Sequence, residues 1–188
     1  MPNPLMRASH VQSNLTSIEL LGVGQAHRVR HQLGTTRVSA IERASRMEWL
    51  PLDLDVALTD AVGEVVGMEG VRRWAKTSMQ QSLDGPLLGP LRDGAVRLFG
   101  LEPNKILKWT PRAWSHMYKH AGTLEFLDAE DFRVELHHKD PPTAFRQSPA
   151  VLESVAASFS AVFDLCRIQG EAEVASITPE RVVFELRW

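Results

Sequence analysis

Six of the seven histidines fall into three pairs, and this is the sharpest chemical feature of the chain. His27 and His31 stand four apart, as do His116 and His120, while His137 and His138 are neighbours. Four-residue spacing in a helix places two imidazoles one turn apart on one face, an arrangement that can chelate a divalent metal. Arg28 and Arg30 interleave the first pair and would repel a cation, so it reads as a solvated basic face. The second pair has Ile106, Trp109, Ala113 and Met117 in its helical frame, an apolar wall that can hold a ligand. His116 and His120 are therefore the candidate metal or haem ligands. Neither pair carries a glutamate at zinc-protease spacing, and the single cysteine joins neither. In a strand, His138 would face the core and bond a backbone group, and His137 would face solvent.

Five tryptophans against one tyrosine is an uneven aromatic usage. Trp109, Trp114, His116 and Tyr118 are the candidate lining of a small-molecule pocket, with Ala150, Ser154, Ala157, Ser158 and Ala161 leaving room for it on a facing helix. The same residues also suit packing, since aromatic and small side chains fill cores. Cys166 sits beside Phe163 and Leu165 on an apolar stripe and reads as an inert core thiol. Gly22-Val23-Gly24 lacks the third glycine of a dinucleotide fingerprint. Asp53 and Asp55 belong to a helix start, and Asp128, Glu130 and Asp131 to a turn. No catalytic constellation emerges, so the expectation is a non-enzyme, and the residues call for no cofactor.

These side chains must be held by helices first and strands afterwards. Apolar residues at three- and four-residue spacing predict helices over 25–33, 37–47, 53–66, 71–83 and 87–99. Asp53 is the expected N-cap of the third, and Gly67 its end. A further helix runs over 103–120, restarting at Pro111 with Thr110 as cap; the segment 13–21 leans to helix. Period-two alternation then predicts strands over 123–127 and 132–138 about a turn at 128–131. Ser148-Pro149 starts a helix with Val151, Val155, Phe159, Val162, Phe163 and Cys166 as its buried stripe, and strands over 168–177 and 181–188 close the chain. Helices, hairpin, helix and hairpin imply an α+β fold, with a four-stranded, mainly antiparallel sheet packed on helices. Its other face would carry Arg133, Glu135, His137, Glu171, Glu173, Arg181 and Glu185.

The 188 residues suit one domain, expected over 13–188 behind a flexible lead-in at 1–12. A net charge of −2 gives no field to attract nucleic acid or an anionic membrane. One cysteine excludes an internal disulfide and fits a reducing compartment. The first ten residues lack a signal core and no run approaches a membrane span, so a cytoplasmic location is expected.

Several stretches carry a resemblance over roughly residues 24–188. They are Glu48-Trp49-Leu50-Pro51-Leu52 with the amphipathic helix after it, Leu107-Lys108-Trp109-Thr110-Pro111-Arg112-Ala113-Trp114, Gly122, and a final strand ending on Trp188. Together they resemble a domain family of unknown function expanded as paralogues in myxobacteria. More distantly, the closing order of elements is similar to the haem nitric-oxide binding and 4-vinyl-reductase type domains. In the haem-binding group a histidine on the helix before the sheet holds the iron, and His116 is the nearest positional match. That group also has a tyrosine-serine-arginine signature, and 138–146 lacks its spacing here. The resemblance implies a small-molecule sensor or adaptor in bacterial signalling, binding a hydrophobic ligand or a protein partner. The alternatives are a haem- or metal-binding protein using His116 and His120, and a homodimeric module joined through the polar sheet face.

Overall fold

The computed structural model describes residues 2–85, 88–128 and 132–188, with only the backbone of 95, 99 and 128. At its centre two helices cross. One is α4 (Leu52–Asp84), in which Gly67 takes non-helical angles (φ 70°, ψ 176°), so that two helices meet at a kink where the sequence predicts an end. The other is α9 (Pro149–Cys166). Their close approach depends on small residues: a Cβ added at Gly63 would lie 3.1 Å from the Ala150 Cβ. Ser148 caps α9, its hydroxyl oxygen accepting from the Val151 amide at 3.0 Å. Asp53 does not cap α4; Pro51 holds that position, and Asp53 falls inside the first turn, where its charge meets the free amides.

On the outer side of α4 lie α1 (Ala8–Ser17), a 3₁₀ turn (Ile18–Leu21) and α2 (Val23–Leu33), with α3 (Thr35–Arg43) beyond. On the far side of α9 stands an antiparallel sheet in the order β4-β5-β7-β6, built from β4 (Thr123–Asp128), β5 (Arg133–Lys139), β6 (Glu171–Ile177) and β7 (Arg181–Arg187). The alternation expected of β5 and β7 holds in register. Val134, Leu136 and His138 pair with Leu186, Phe184 and Val182, all six buried. Positions 129–131 of the expected turn lie outside the described residues. The fold is α+β, as the order of elements predicts.

Four further details differ from the sequence reading. Residues 5–12 are no lead-in: β1 (Leu5–Arg7) and α1 are built into the molecule, with Met6, Ala8 and Val11 fully buried. The strand β1 is the centre of a second sheet, between β2 (Trp49–Pro51) and β3 (Tyr118–Lys119), which ties the amino end to two distant junctions. The stretch 103–120 is α6 (Pro103–Leu107) and α7 (Thr110–Met117), with Trp109 as cap and the helix ending before Tyr118. His137 is buried, 7% exposed, because Glu135 and Arg181 close over it on the outer sheet face. The remaining helices are α5 (Gly89–Phe99) and α8 (Thr143–Gln147). By length and composition α9 is apolar enough to cross a membrane, yet most of it is buried as the core helix between α4 and the sheet.

Candidate functional site

The end of α7 at Met117 decides what the histidines can do. His116 is exposed on α7, while His120 lies beyond β3 with φ 57°, so the two do not share a helical turn. His27 and His31 are exposed on α2. His138 is fully buried, its Nε2 2.7 Å from the Ala121 carbonyl. Its pKa is pushed down to about 4, chiefly by burial, so it is neutral at pH 7. Among the described residues no three histidine, cysteine or acidic side chains gather into a metal-sized group. Cys166 is buried and its thiol pKa is raised by burial, which keeps it protonated.

The aromatic candidates do meet. The amphipathic face of α7 turns Trp114 and Met117 inward, and β3 places Tyr118 directly after them. Trp114 and Tyr118 stack with ring centres 4.0 Å apart, and His138 and Phe145 meet Trp114 edge-on. Trp114 and Tyr118 form one wall of a cavity of about 30 Å³ between α1, α4, α7 and α9, room for a water or two. His116 is not part of that wall. Trp109 instead lines a neighbouring apolar cleft of about 80 Å³ with Leu83, Leu91, Ile106 and Val162. Met79, Met117, Ser158 and Phe159 line both spaces.

The polar end of the smaller cavity comes from residues that the sequence reading did not assign to a site, Asp55 having been read as part of a helix start. Asp55 is 6% exposed and accepts from the Asn14 side-chain amide at 2.8 Å. The Asn14 side-chain oxygen in turn accepts from Ser78 at 2.7 Å, and its backbone carbonyl accepts from the Trp74 indole at 3.2 Å. Burial pushes the Asp55 carboxyl up to about 6, against the lowering effect of the Asn14 bond. Burial, and then the charge of Asp55, hold the Tyr118 phenol well above its usual value. His10 lines the same cavity, 3.4 Å from the Ser82 hydroxyl, and burial lowers its pKa to about 4. The Trp114 indole N–H is buried without a partner among the described residues. A signal for Asp55 existed: it stands three before Leu58 and seven before Val62, on the buried stripe of its helix.

No protein-family model matches the chain, and no curated protein matches it. Solved structures do match across its length. One, a study of heme redox potential modulated by protein-induced porphyrin distortion, superposes with TM-score 0.66 at 10% identity, covering 97% of this chain and 100% of the other. A mutant of the K. algicida H-NOX protein in its Fe(II) unliganded state gives 0.65 at 11%, covering 97% and 96%. A T. Tengcongensis H-NOX mutant gives 0.65 at 11%, covering 97% of each chain. The chain is an α+β domain with the H-NOX fold; at such identities the likeness is one of fold.

Among the described residues, the interior spaces at hand do not fit a haem. Drug-sized and larger ligands occupy cavities of roughly 300–1,000 Å³, while the space beside His10 and Tyr118 is about 30 Å³. Two roomier clefts, about 300 Å³ along α2 and the amino-terminal 3₁₀ turn and about 400 Å³ beside Arg30 and Glu42, contain no histidine, cysteine, methionine or tyrosine in their linings. Volume and axial ligand do not coincide. The exposed His116 lies outside the interior cavity altogether.

Proposed function

We propose that this domain is a non-enzymatic small-molecule sensor or adaptor, in which the interior junction of α1, α4, α7 and α9 receives a ligand much smaller than a porphyrin. One observation carries the reading. A buried carboxylate, Asp55, stands at the polar end of a small cavity, and a larger apolar cleft adjoins it at Trp109. Native cores contain few voids larger than a water molecule. A ligand entering there touches α4, α7 and α9 together, so its binding couples the helical layer to the sheet. Native mass spectrometry of the protein taken from its own cells tests this. A retained small mass is expected; a bare mass, together with thermal stability unmoved by a panel of small amphiphiles, would refute it.

The second reading is a haem protein. Two of the matching structures are described by their heme, and fold likeness favours this ligand over an unspecified one, whereas cavity size and histidine placement speak against it. Purification from cells supplied with a haem precursor distinguishes the two. The expected spectrum has no Soret band; a stoichiometric one would replace the first reading with the second.

A further inference from the structure

Asp55 is a carboxylate enclosed by the fold, and among the described residues no lysine or arginine forms an ion pair with it. Among those residues its side chain accepts from the neutral amide of Asn14, while His10 in the same cavity is held uncharged by burial. Buried charges are ordinarily paired or neutralised, because leaving water is costly. Trp74, Trp114 and Tyr118 are among the residues that line its cavity, and aromatic rings attract cations. Tyr118 is near enough for the Asp55 charge to act on its phenol. The cavity thus has an acceptor without a cation, a ring wall that favours one, and an apolar cleft alongside.

We propose that this cavity is the head-group site for a small organic ammonium ion, with Asp55 as counter-ion, Trp114 and Tyr118 as aromatic wall, and the cleft at Trp109 and Ile106 taking a short alkyl chain. The inference rests on the small-molecule reading above and names its ligand class. The size follows from the volumes: about 30 Å³ admits an ammonium group but no second ring, and about 80 Å³ of apolar space admits a few methylenes. Met79, Met117, Ser158 and Phe159 line both spaces, and methionine is a flexible side chain that repacks readily. No bond forms or breaks.

The test is calorimetric titration of the intact chain with butylammonium chloride, and with 1-butanol as a neutral probe of matching length, on the natural sequence and on Asp55→Asn. The expected result is that butylammonium binds the natural chain at least tenfold more tightly than butanol and that Asp55→Asn removes this preference. If Asp55→Asn does not fold, Trp114→Leu replaces it; loss of a ring face from the wall should weaken butylammonium about threefold or more while leaving butanol unchanged. Equal binding of the two probes, or butylammonium affinity unchanged by the substitution, would overturn the ammonium assignment and leave a small-molecule site standing. If neither probe binds, this assignment fails; the broader reading falls only if the cellular protein also carries no small molecule.

Discussion

Replacing Asp55 by asparagine removes one charge from the interior while keeping a side chain able to accept from Asn14. A carboxyl raised from 3.8 to about 6 disfavours the ionised native state by about 3 kcal/mol, at about 1.4 kcal/mol per pH unit. The native state holds the Asp55 proton more tightly than the unfolded chain. Its contribution therefore rises as pH falls through 6, is complete below 3.8, and is lost at pH 7.5. Asparagine is permanently neutral. At pH 7.5 the variant should be more stable than the natural chain by up to about 3 kcal/mol, or roughly 6–12 °C in Tm for a domain of this size. The advantage should shrink steadily towards pH 4. Urea unfolding of both proteins, without amine in the buffer, at pH 7.5, 6 and 4.5 measures the difference directly. A variant less stable than the natural chain at pH 7.5, or a difference independent of pH, would refute the argument that an unpaired ionised carboxylate is buried there.

Burial acts with the opposite sign on two histidines. His10 and His138 fall from 6.5 to about 4, so each contributes stability that is present above 6.5 and lost as pH falls towards 4, about 3 kcal/mol apiece. A His138→Gln chain should consequently show a shallower acid limb in a pH series of denaturant midpoints. At Gly122, φ is 78°, and a Cβ would stand 2.7 Å from His138 Nε2 and 2.8 Å from the Asp140 carbonyl oxygen; Gly122→Ala should destabilise by more than about 2 kcal/mol by calorimetry. Ser148→Ala removes the α9 cap and should cost about 1 kcal/mol in urea, without altering amine affinity. On the outer sheet face Arg133 bonds both Glu135 and the buried Glu185. Arg133→Glu should lower stability by about 1–3 kcal/mol, and analytical ultracentrifugation of the same variant tests whether that face also joins two copies.

Local pattern was enough to determine the long elements. The stripe of α9, its Ser148 cap, the break at Gly67 and the alternation of β5 and β7 are written within a few residues of one another, and short-range sterics and hydrogen bonding act at that range. Strands of two or three residues carry no period, so β1, β2 and β3 were invisible: they exist because Leu5, Pro51 and Lys119 meet across more than a hundred positions. The same limit misplaced the histidines. The helical frame that paired His116 with His120 stops at Met117, where pairing of Tyr118 with Met6 outweighs one more helical turn. Trp109, Trp114 and Tyr118 were legible as aromatic candidates from residue type alone. The partners of Trp114 and Tyr118 at the cavity, His10, Asn14 and Asp55, come from the amino-terminal helix and the start of α4, and only packing brings them to one point. Type and spacing therefore determined the helices, the four-stranded sheet and which rings were available. Tertiary structure decided which of them face a common space and which polar group is stranded there, because burial is a property of the assembled molecule and no local window of sequence contains it.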